Sequence, residues 1–202
     1  YIPRAFECRP KQGLIKAVKR DLRRIDKRRP ISMSNSSDPY PPLEAELELT
    51  RRCLELFAQE GCKVLVITKS ELVARDAELL ANMRAAVSFT ITTLDPKLSS
   101  KLEPGAPKPG HRLKALEQLH KRGVPVAIRL DPIIPGLNED EIEGIISAAS
   151  ARGARHVTFS TFKPRPDGWR RMKNAFPELA PKLGKLYFRL GTRYRNCWYL
   201  PK

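Results

Sequence analysis

The sequence has little of what most metal and redox sites need, because its 202 residues include only four cysteines and three histidines. The cysteines show no zinc or redox spacing, the histidines form no metal-binding pair, and Cys53 and Cys62 are predicted to be buried thiols among apolar residues. There is no Gly-rich phosphate loop and no catalytic pairing of histidine with an acid, which disfavours a conventional barrel enzyme with a phosphate site. No apolar run approaches the ~18 residues that span a bilayer and no secretory signal begins the chain, so we expect a cytoplasmic protein without a membrane partner.

Acidic residues are also scarce, since 22 Asp and Glu stand against 38 Lys and Arg for a net charge of +16. The excess lies at the ends of the chain: residues 1–30 carry +8 and residues 162–202 carry +9, whereas the middle carries −1. If the ends meet, they form one positive face that suits nucleic acid, and we place this partner on residues 4–29 and 163–195. A solvated basic surface, as in some thermophile proteins, is the alternative. Aromatic residues among the basic ones near the C-terminus either stack bases or pin a terminal helix to the core.

Helical and strand-like patterns alternate along the chain. Apolar residues at helical spacing predict helices over residues 12–29, 44–59, 70–83, 111–122 and about 138–153. Apolar runs predict strands over residues 31–36, 63–68, 86–92, 124–130 and 156–160. Asn138 with Glu141 is interpreted as a capping box for the last of these helices. The alternation predicts an α/β fold with a parallel sheet and outer helices, and five strands are too few for a closed eight-stranded barrel.

Polar side chains follow every predicted strand, most clearly where residues 31–42 (ISMSNSSDPYPP) pass from a strand into small polar residues and an aspartate. Parallel strands bring their carboxyl ends to one rim, so we expect a polar pocket there for a zwitterionic, ribose-containing ligand. The candidates at this rim are Ser36, Ser37, Asp38, Thr68, Lys69, Thr90, Thr92, Thr93, Asp95, Arg129, Asp131, Ser160, Thr161 and Lys163. Lys69 and Arg129 suit a carboxylate or phosphate, and Asp38 suits an amine. Thr90 or Thr92 suits ribose hydroxyls.

Simpler interpretations remain open for the same residues. Ser, Asn, Asp and Pro after a strand are typical of an ordinary turn. Lys69 could form a salt bridge with Asp76 or Glu71. Arg129 could pair with Asp131 in the same way.

Five short segments resemble, in the order found in that family, the radical S-adenosylmethionine proteins. They cover residues 34–44, 67–76, 87–95, 102–113 and 131–138, and the match runs over about residues 1–162. Within the family, the chain is similar to the branch related to spore photoproduct lyase and called DNA repair photolyase by similarity. The resemblance implies a partial (β/α)₆ TIM-like barrel over residues 1–162, and we expect residues 163–202 to form a basic, aromatic C-terminal extension packed on it.

The resemblance also implies cofactors, an activity and partners. The cofactors are a [4Fe-4S] cluster and S-adenosylmethionine, and the activity is reductive cleavage of S-adenosylmethionine to start radical chemistry. An electron donor protein and a nucleic-acid substrate, as in a DNA-repair lyase, are the implied partners. A nucleic-acid-binding α/β protein without catalytic activity is the alternative.

Individual site residues follow from the same resemblance. Ser36, Ser37 and Asp38 would hold the methionine amine, and Lys69 would hold the carboxylate. Thr90 and Thr92 would face the ribose, and Ile133 with Ile134 would flank adenine. Tyr40, Arg129 and Asp131 complete the cofactor-binding set.

The chain departs from the family pattern at two points. The Cys-x₃-Cys-x₂-Cys loop that binds the cluster is absent, and because residues 1–4 resemble the sequence just after it, we expect the loop and the first strand upstream of Tyr1. Spore photoproduct lyase returns a hydrogen atom from a cysteine near the Ser/Asp strand end, where Asn35 and its neighbours offer no thiol. These residues therefore do not support photoproduct reversal, and no catalytic residue is assigned.

Overall fold

A parallel five-stranded sheet forms the centre of the structure, a computed structural model that describes residues 9–33 and 37–201. The strands are β1 Ile31–Met33, β2 Val64–Thr68, β3 Ala85–Thr90, β4 Val126–Ile133 and β5 Val157–Thr161. They lie in chain order, and every neighbouring pair is parallel. Helices link these strands, so the sheet is a curled part of a TIM-like barrel. The predicted partial-barrel α/β fold is confirmed.

The helices around this sheet are α1 Leu14–Leu22, α2 Glu44–Leu47, α3 Leu49–Gln59, α4 Ala77–Ala81, α5 Pro96–Leu102, α6 Pro109–Lys121 and α7 Ile142–Ser150. Short 3₁₀ segments, Glu71–Asp76 and Glu139–Glu141, lead into α4 and α7. After β5 come α8 Pro166–Ala175, α9 Ala180–Gly184 and a π-helical segment, Lys185–Leu190. An antiparallel hairpin of β6 Thr192–Tyr194 and β7 Cys197–Tyr199 follows. None of the helices in the described residues is long and apolar enough to cross a membrane.

The main core lies between the sheet and these helices. Val66 of β2, Val87 of β3 and Ile128 of β4 are buried against Leu54 of α3 and Leu116 of α6. Burial of such side chains contributes ~1.5–3 kcal/mol each relative to leaving them exposed. The apolar runs in the sequence therefore mark the strands that this core requires.

A second apolar cluster joins the C-terminal segment to the barrel. Met172, Phe176, Leu183 and Tyr187 are buried together with Ile134, which lies just after β4. Edge-to-face contacts join Trp169 to Phe188 at 4.8 Å and Phe188 to Trp198 at 5.1 Å. These aromatic residues pin the C-terminal segment, as one of the two interpretations predicted. The domain boundary after residue 162 stays a prediction.

Several predicted helices have different bounds. The helix predicted over residues 12–29 ends at Leu22, and Asp26 accepts hydrogen bonds from the backbone and guanidinium of Arg28 in the turn that follows. The helix predicted over residues 44–59 is broken at Glu48, whose φ of 48° is left-handed. Ser70 does cap a helical segment, because its hydroxyl accepts from Leu72 N at 3.3 Å, but the first turns are 3₁₀.

Gly153 lies between α7 and β5, at a position that requires glycine. Its φ is +101°, and a Cβ at this position would lie 2.1 Å from the ring of His120. Only glycine allows α7 to turn into β5 with the imidazole in place.

Candidate functional site

Asp38 joins the ends of β1 and β2. Its Oδ1 accepts hydrogen bonds from Tyr40 N at 2.9 Å and from the Thr68 hydroxyl at 2.6 Å. Its Oδ2 accepts from Lys69 N at 2.7 Å. The carboxylate therefore fixes the two strand ends beside each other, and Asp38 and Lys69 lie together as the parallel-sheet argument requires.

A largely buried network of ionic groups holds the segment that contains Asp38 and Tyr40. The Tyr40 hydroxyl donates to Asp76 at 2.9 Å, and Asp76 also receives Arg51 at 2.7 Å and Arg75 at 3.2 Å. Arg75 in turn bonds buried Glu44 at 3.0 Å. Burial, together with the Asp76 charge, raises the pKa of Tyr40. Tyr40 thus has a partner in the core, and its assignment to the cofactor stays a prediction.

Lys69 begins a chain of charged groups that leads to β3. Its Nζ lies 3.8 Å from Oε1 of Glu103, and the alternative partners Asp76 and Glu71 are wrong. Asp76 is taken by Arg51 and Arg75, while Glu71 lies 3.6 Å from His111.

Buried Arg112 continues this chain to the end of β3. Its Nη1 lies 2.6 Å from Oε2 of Glu103 and donates to the carbonyl oxygen of Thr90 at 2.8 Å. The ends of β1, β2 and β3 are therefore connected through polar side chains rather than separated by packed core.

Asn138 and Glu141 tie the region after β4 to the residues after β3. The Asn138 amide donates to the carbonyls of Thr92 at 2.7 Å and Pro132 at 3.1 Å, and its oxygen accepts from Ile134 N at 2.7 Å. Glu141 accepts from the Thr93 hydroxyl at 2.5 Å and from Leu94 N at 2.7 Å. The predicted capping box is wrong, because both side chains satisfy backbone and hydroxyl groups of this rim instead.

Thr90 and Thr92 are both buried at this rim. The Oγ1 atom of Thr92 has no hydrogen-bond partner among the residues that the structure describes. A buried hydroxyl without a partner is costly unless a ligand or water completes it. Thr92 therefore fits the ribose contact that the resemblance implies, which stays a prediction.

Arg129 and Asp131 lie on β4 and face each other. Arg129 is the neighbour of Thr90 in the sheet, and its Nη2 lies 2.5 Å from Oδ2 of Asp131. The simpler interpretation of Arg129 is the one that the structure shows, and a contact of either residue with the cofactor stays a prediction. The Asp131–Pro132 peptide bond is cis, and Ile133 beyond it pairs with Thr161 of β5.

The first part of the predicted amine site is only partly described. Ser36 lies outside the described residues, as do its neighbours at positions 34 and 35. Ser37 is exposed and, with Asp38, borders a cavity of about 360 Å³ between α1 and α3. Apolar side chains such as Met33 and Phe57 line this cavity together with charged ones such as Lys11 and Glu44.

Three cysteines lie in the described residues, at positions 53, 62 and 197. Cys53 and Cys62 are buried, as predicted, and burial raises the pKa of Cys53 to about 11. No group of three or more histidine, cysteine or acidic side chains in the described ranges could hold a metal ion. The described cysteines therefore do not form the cluster loop of the resembled family.

Glu103 and Arg112 lie in the segment 102–113 that resembles the family, but the sequence analysis gave them no role. A signal for Arg112 was present, because it shares the inward face of α6 with Ala115, Leu116 and Leu119, where an arginine is unusual. A buried arginine needs a counter-ion, and the nearby Glu103 supplies it.

Residues 5–149 match the model of the Radical SAM superfamily, and this match decides the family of the chain. The chain belongs to the Radical SAM superfamily. The cofactors of this superfamily are a [4Fe-4S] cluster and S-adenosylmethionine, as predicted, and similar solved structures contain bound S-adenosylmethionine. The resemblance drawn from the five segments is confirmed.

Two curated relatives match part of this chain, and both are longer than it. It is 30% identical over 189 residues to the uncharacterized protein ORF301 of Acidianus two-tailed virus, which covers 85% of this chain and 62% of the relative. It is 24% identical over 126 residues to the Radical SAM Nalpha-GlyT isomerase of Pseudomonas phage M6, covering 61% of this chain and 26% of the isomerase. The chain thus spans about three fifths of the first relative and a quarter of the second.

Solved Radical SAM structures share the fold. A mutant of spore photoproduct lyase with bound AdoMet and dinucleoside spore photoproduct superposes with a TM-score of 0.65 at 16% identity, covering 94% of this chain and 57% of the lyase. SuiB of Streptococcus suis bound to S-adenosylmethionine gives a TM-score of 0.58 at 12% identity, covering 87% of this chain and 42% of SuiB. At these identities the likeness shows the fold alone.

Proposed function

We propose that the protein is a Radical SAM enzyme that cleaves S-adenosylmethionine reductively and acts on a nucleic-acid substrate. The observation that carries the first part is the polar rim: Asp38, Lys69 and Thr92 lie at neighbouring strand ends of a chain that belongs to the superfamily. When bound, the cluster supplies the electron and S-adenosylmethionine supplies the 5′-deoxyadenosyl radical. An electron donor protein is the implied partner, and a cytoplasmic location is part of the proposal.

The side chains of the rim suit the parts of S-adenosylmethionine. Lys69, whose side chain is 38% exposed, offers an ammonium to the carboxylate. Thr92, with Thr90 beside it, offers hydroxyls to the ribose. Asp38, with Ser36 and Ser37, is assigned to the amine of S-adenosylmethionine. The Asp38 oxygens hold the ends of β1 and β2 beside this position.

A nucleic-acid substrate is supported by the basic ends. On α1, the exposed residues Lys16, Lys19 and Arg20 are followed by exposed Arg23 and Arg24. Such a cluster on one helix suits phosphate groups without reading sequence.

The hairpin of β6 and β7 adds aromatic groups beside positive charge. Tyr194 is 61% exposed, with the Arg195 guanidinium 5.3 Å from its ring centre, and Arg193 lies 5.8 Å from the ring of Trp198. An exposed ring next to an arginine, as at Tyr194, can stack a base. A dinucleoside ligand in a structurally similar lyase is consistent with this substrate class.

The test is anaerobic reconstitution of the full-length protein with iron and sulfide, followed by reduction in the presence of S-adenosylmethionine. We expect 5′-deoxyadenosine only when reductant is present. Uniformly deuterated DNA or RNA oligonucleotides should then transfer deuterium into 5′-deoxyadenosine. A well-formed cluster that never cleaves S-adenosylmethionine would contradict the proposal.

The non-catalytic alternative predicts a different pair of results. A binding protein without chemistry would show steeply salt-dependent affinity for DNA or RNA and no affinity for S-adenosylmethionine. Measuring both affinities on the same preparation separates the two functions.

A further inference from the structure

The loop of residues 103–107, Glu-Pro-Gly-Ala-Pro, lies at the rim between α5 and α6 and has no role in the proposed function so far. Glu103 opens this loop, and only 10% of its side chain is exposed. Gly105 has a left-handed φ of +80°, and the prolines at 104 and 107 restrict the backbone on either side. The loop therefore presents the Glu103 carboxylate from a stiff support.

Arg112 forms an ion pair with one oxygen of that carboxylate. Its Nε donates to the carbonyl of Pro107 at 2.8 Å and its Nη1 to the carbonyl of Thr90 at 2.8 Å, so the guanidinium position is set by backbone groups. Arg112 is fully buried, and a buried guanidinium is stable only with a counter-ion. Glu103 supplies it through an ion pair, with Oε2 at 2.6 Å from Arg112 Nη1. Oε2 and Arg112 Nη2 have no hydrogen-bond partner among the described residues, and Oε1 lies 3.8 Å from Lys69 Nζ.

Lys69 is held much less firmly. Its backbone nitrogen is fixed by Asp38, but Glu103 is its side chain's one ion-pair partner in the described part of the chain, at 3.8 Å. A lysine carries its charge on a flexible four-carbon stem, so its ammonium takes a defined place only when a neighbour provides one.

The charges of the three groups leave Lys69 available to an anion. Glu103 lies closer to Arg112 than to Lys69, so most of its charge is balanced by the arginine. Lys69, Glu103 and Arg112 together carry one net positive charge. The nearby Asp38 carboxylate is occupied by three neutral donors of its own.

We propose that Glu103, held by buried Arg112, is a positioning residue that fixes the Lys69 ammonium where the carboxylate of S-adenosylmethionine meets it. This inference rests on the proposed function, since it assumes that Lys69 binds that carboxylate. Without the Glu103 charge, the uncompensated Arg112 repels the ammonium and the lysine must be ordered anew each time a ligand binds. The affinity lost by misplacing the ammonium exceeds the affinity gained from the higher net positive charge, because an ammonium displaced from the rim no longer contacts the carboxylate.

The experiment measures dissociation constants of the reconstituted full-length protein for S-adenosylmethionine and for its decarboxylated analogue by equilibrium dialysis. Glu103→Gln should weaken S-adenosylmethionine binding about tenfold, by analogy with the lower end of the effect of removing a group that orients a metal ligand. Binding of the decarboxylated analogue should not change. Lys69→Met should show the same ligand selectivity, and adding Glu103→Gln to it should cost nothing further.

Two more variants control for folding and for charge. Glu117→Gln removes an acidic group that pairs with Lys121 on the outer surface of α6, and should alter neither affinity. If Glu103→Gln unfolds because Arg112 loses its counter-ion, Glu103→Gln with Arg112→Met removes both charges, should fold, and should show the same selective loss.

Equal losses for both ligands, additive losses in the Lys69→Met background, or tighter binding in Glu103→Gln would overturn the inference. The failure of the proposed function itself has a separate signature, which is that the wild-type protein binds neither ligand or that Lys69→Met binds both as the wild type does.

Discussion

At the scale of single residues, two buried tyrosines differ in what their hydroxyl groups meet. The Tyr40 hydroxyl donates to Asp76, whereas the Tyr187 hydroxyl is buried without a partner among the described residues. Burial raises the pKa of Tyr187 to about 12. Each hydroxyl is removed by a change to phenylalanine that leaves the ring in place, so the pair forms a matched comparison.

We expect Tyr40→Phe to lower the free energy of unfolding by about 1–2 kcal/mol, because a hydrogen bond to a buried carboxylate is lost. Tyr187→Phe should change it by less than about 0.5 kcal/mol or raise it, since an unpaired buried hydroxyl contributes nothing. Urea unfolding measures both. An equal cost at the two positions would show that the hydrogen bond to Asp76 is not what distinguishes them.

Cys53 gives a prediction for the pH dependence of stability. Burial raises the pKa of its thiol to about 11, so the folded state keeps the proton at a pH where the unfolded chain releases it. The stability from this group is complete below the unfolded pKa and is lost as the pH rises towards 11. Between pH 8 and 10.5 the free energy of unfolding of the wild type should therefore fall more steeply than that of Cys53→Ala. Parallel curves in urea titrations would contradict this assignment.

At the scale of elements, Glu48 separates α2 from α3 in a left-handed conformation that costs most L-residues ~1–2 kcal/mol. Glu48→Gly should therefore be more stable than Glu48→Ala by about 1 kcal/mol. The comparison of the two variants cancels the loss of the weak 3.7 Å contact between Glu48 and Arg75. If alanine proves the more stable replacement, the chain is helical through this position in solution.

Asn138 holds the segment after β4 against the residues after β3. Asn138→Ala leaves the buried groups Thr92 O, Pro132 O and Ile134 N without this partner, and should cost about 2–3 kcal/mol of unfolding free energy. Asn174→Ala, on the exposed side of α8, is the control and should cost less than about 0.5 kcal/mol. Chemical denaturation of both variants tests whether the Asn138 amide contributes this free energy of unfolding.

The elements also show which features of the fold could be predicted from the sequence. The five strands, their parallel pairing and their polar ends could be predicted because apolar runs and helical spacing are local signals. The break at Glu48 and the 3₁₀ start of the segment after Ser70 depend on tertiary contacts, as Arg75 and Asp76 show by pairing with groups more than twenty residues away. For the same reason the sequence did not show that Asn138 bonds Thr92 and that Glu141 bonds Thr93 and Leu94, because these partners follow β3, more than forty residues earlier in the chain. Short elements such as α5, α9 and the β6–β7 hairpin have too few residues for a periodic pattern.

At the scale of the whole molecule, the uneven charge predicts how nucleic acid binding depends on salt. The triple change Lys19→Ala, Arg23→Ala and Arg24→Ala should reduce the slope of log affinity against log salt by about 2–3 for duplex DNA. The control triple Lys97→Ala, Lys114→Ala and Arg122→Ala removes the same charge from the middle of the chain and should leave the slope nearly unchanged. Equal effects of the two triples would mean that net charge, rather than the basic end, drives binding.

The proposed function depends on the strand ends forming the S-adenosylmethionine site. The most direct measurement is a crystal structure of the full-length protein with its cluster and bound S-adenosylmethionine. The account predicts the ligand carboxylate within salt-bridge distance of Lys69 Nζ and the ribose against Thr92, with Asp38 still joining β1 to β2. S-adenosylmethionine bound elsewhere on the protein, with Lys69 and Thr92 free of it, would contradict the proposed function.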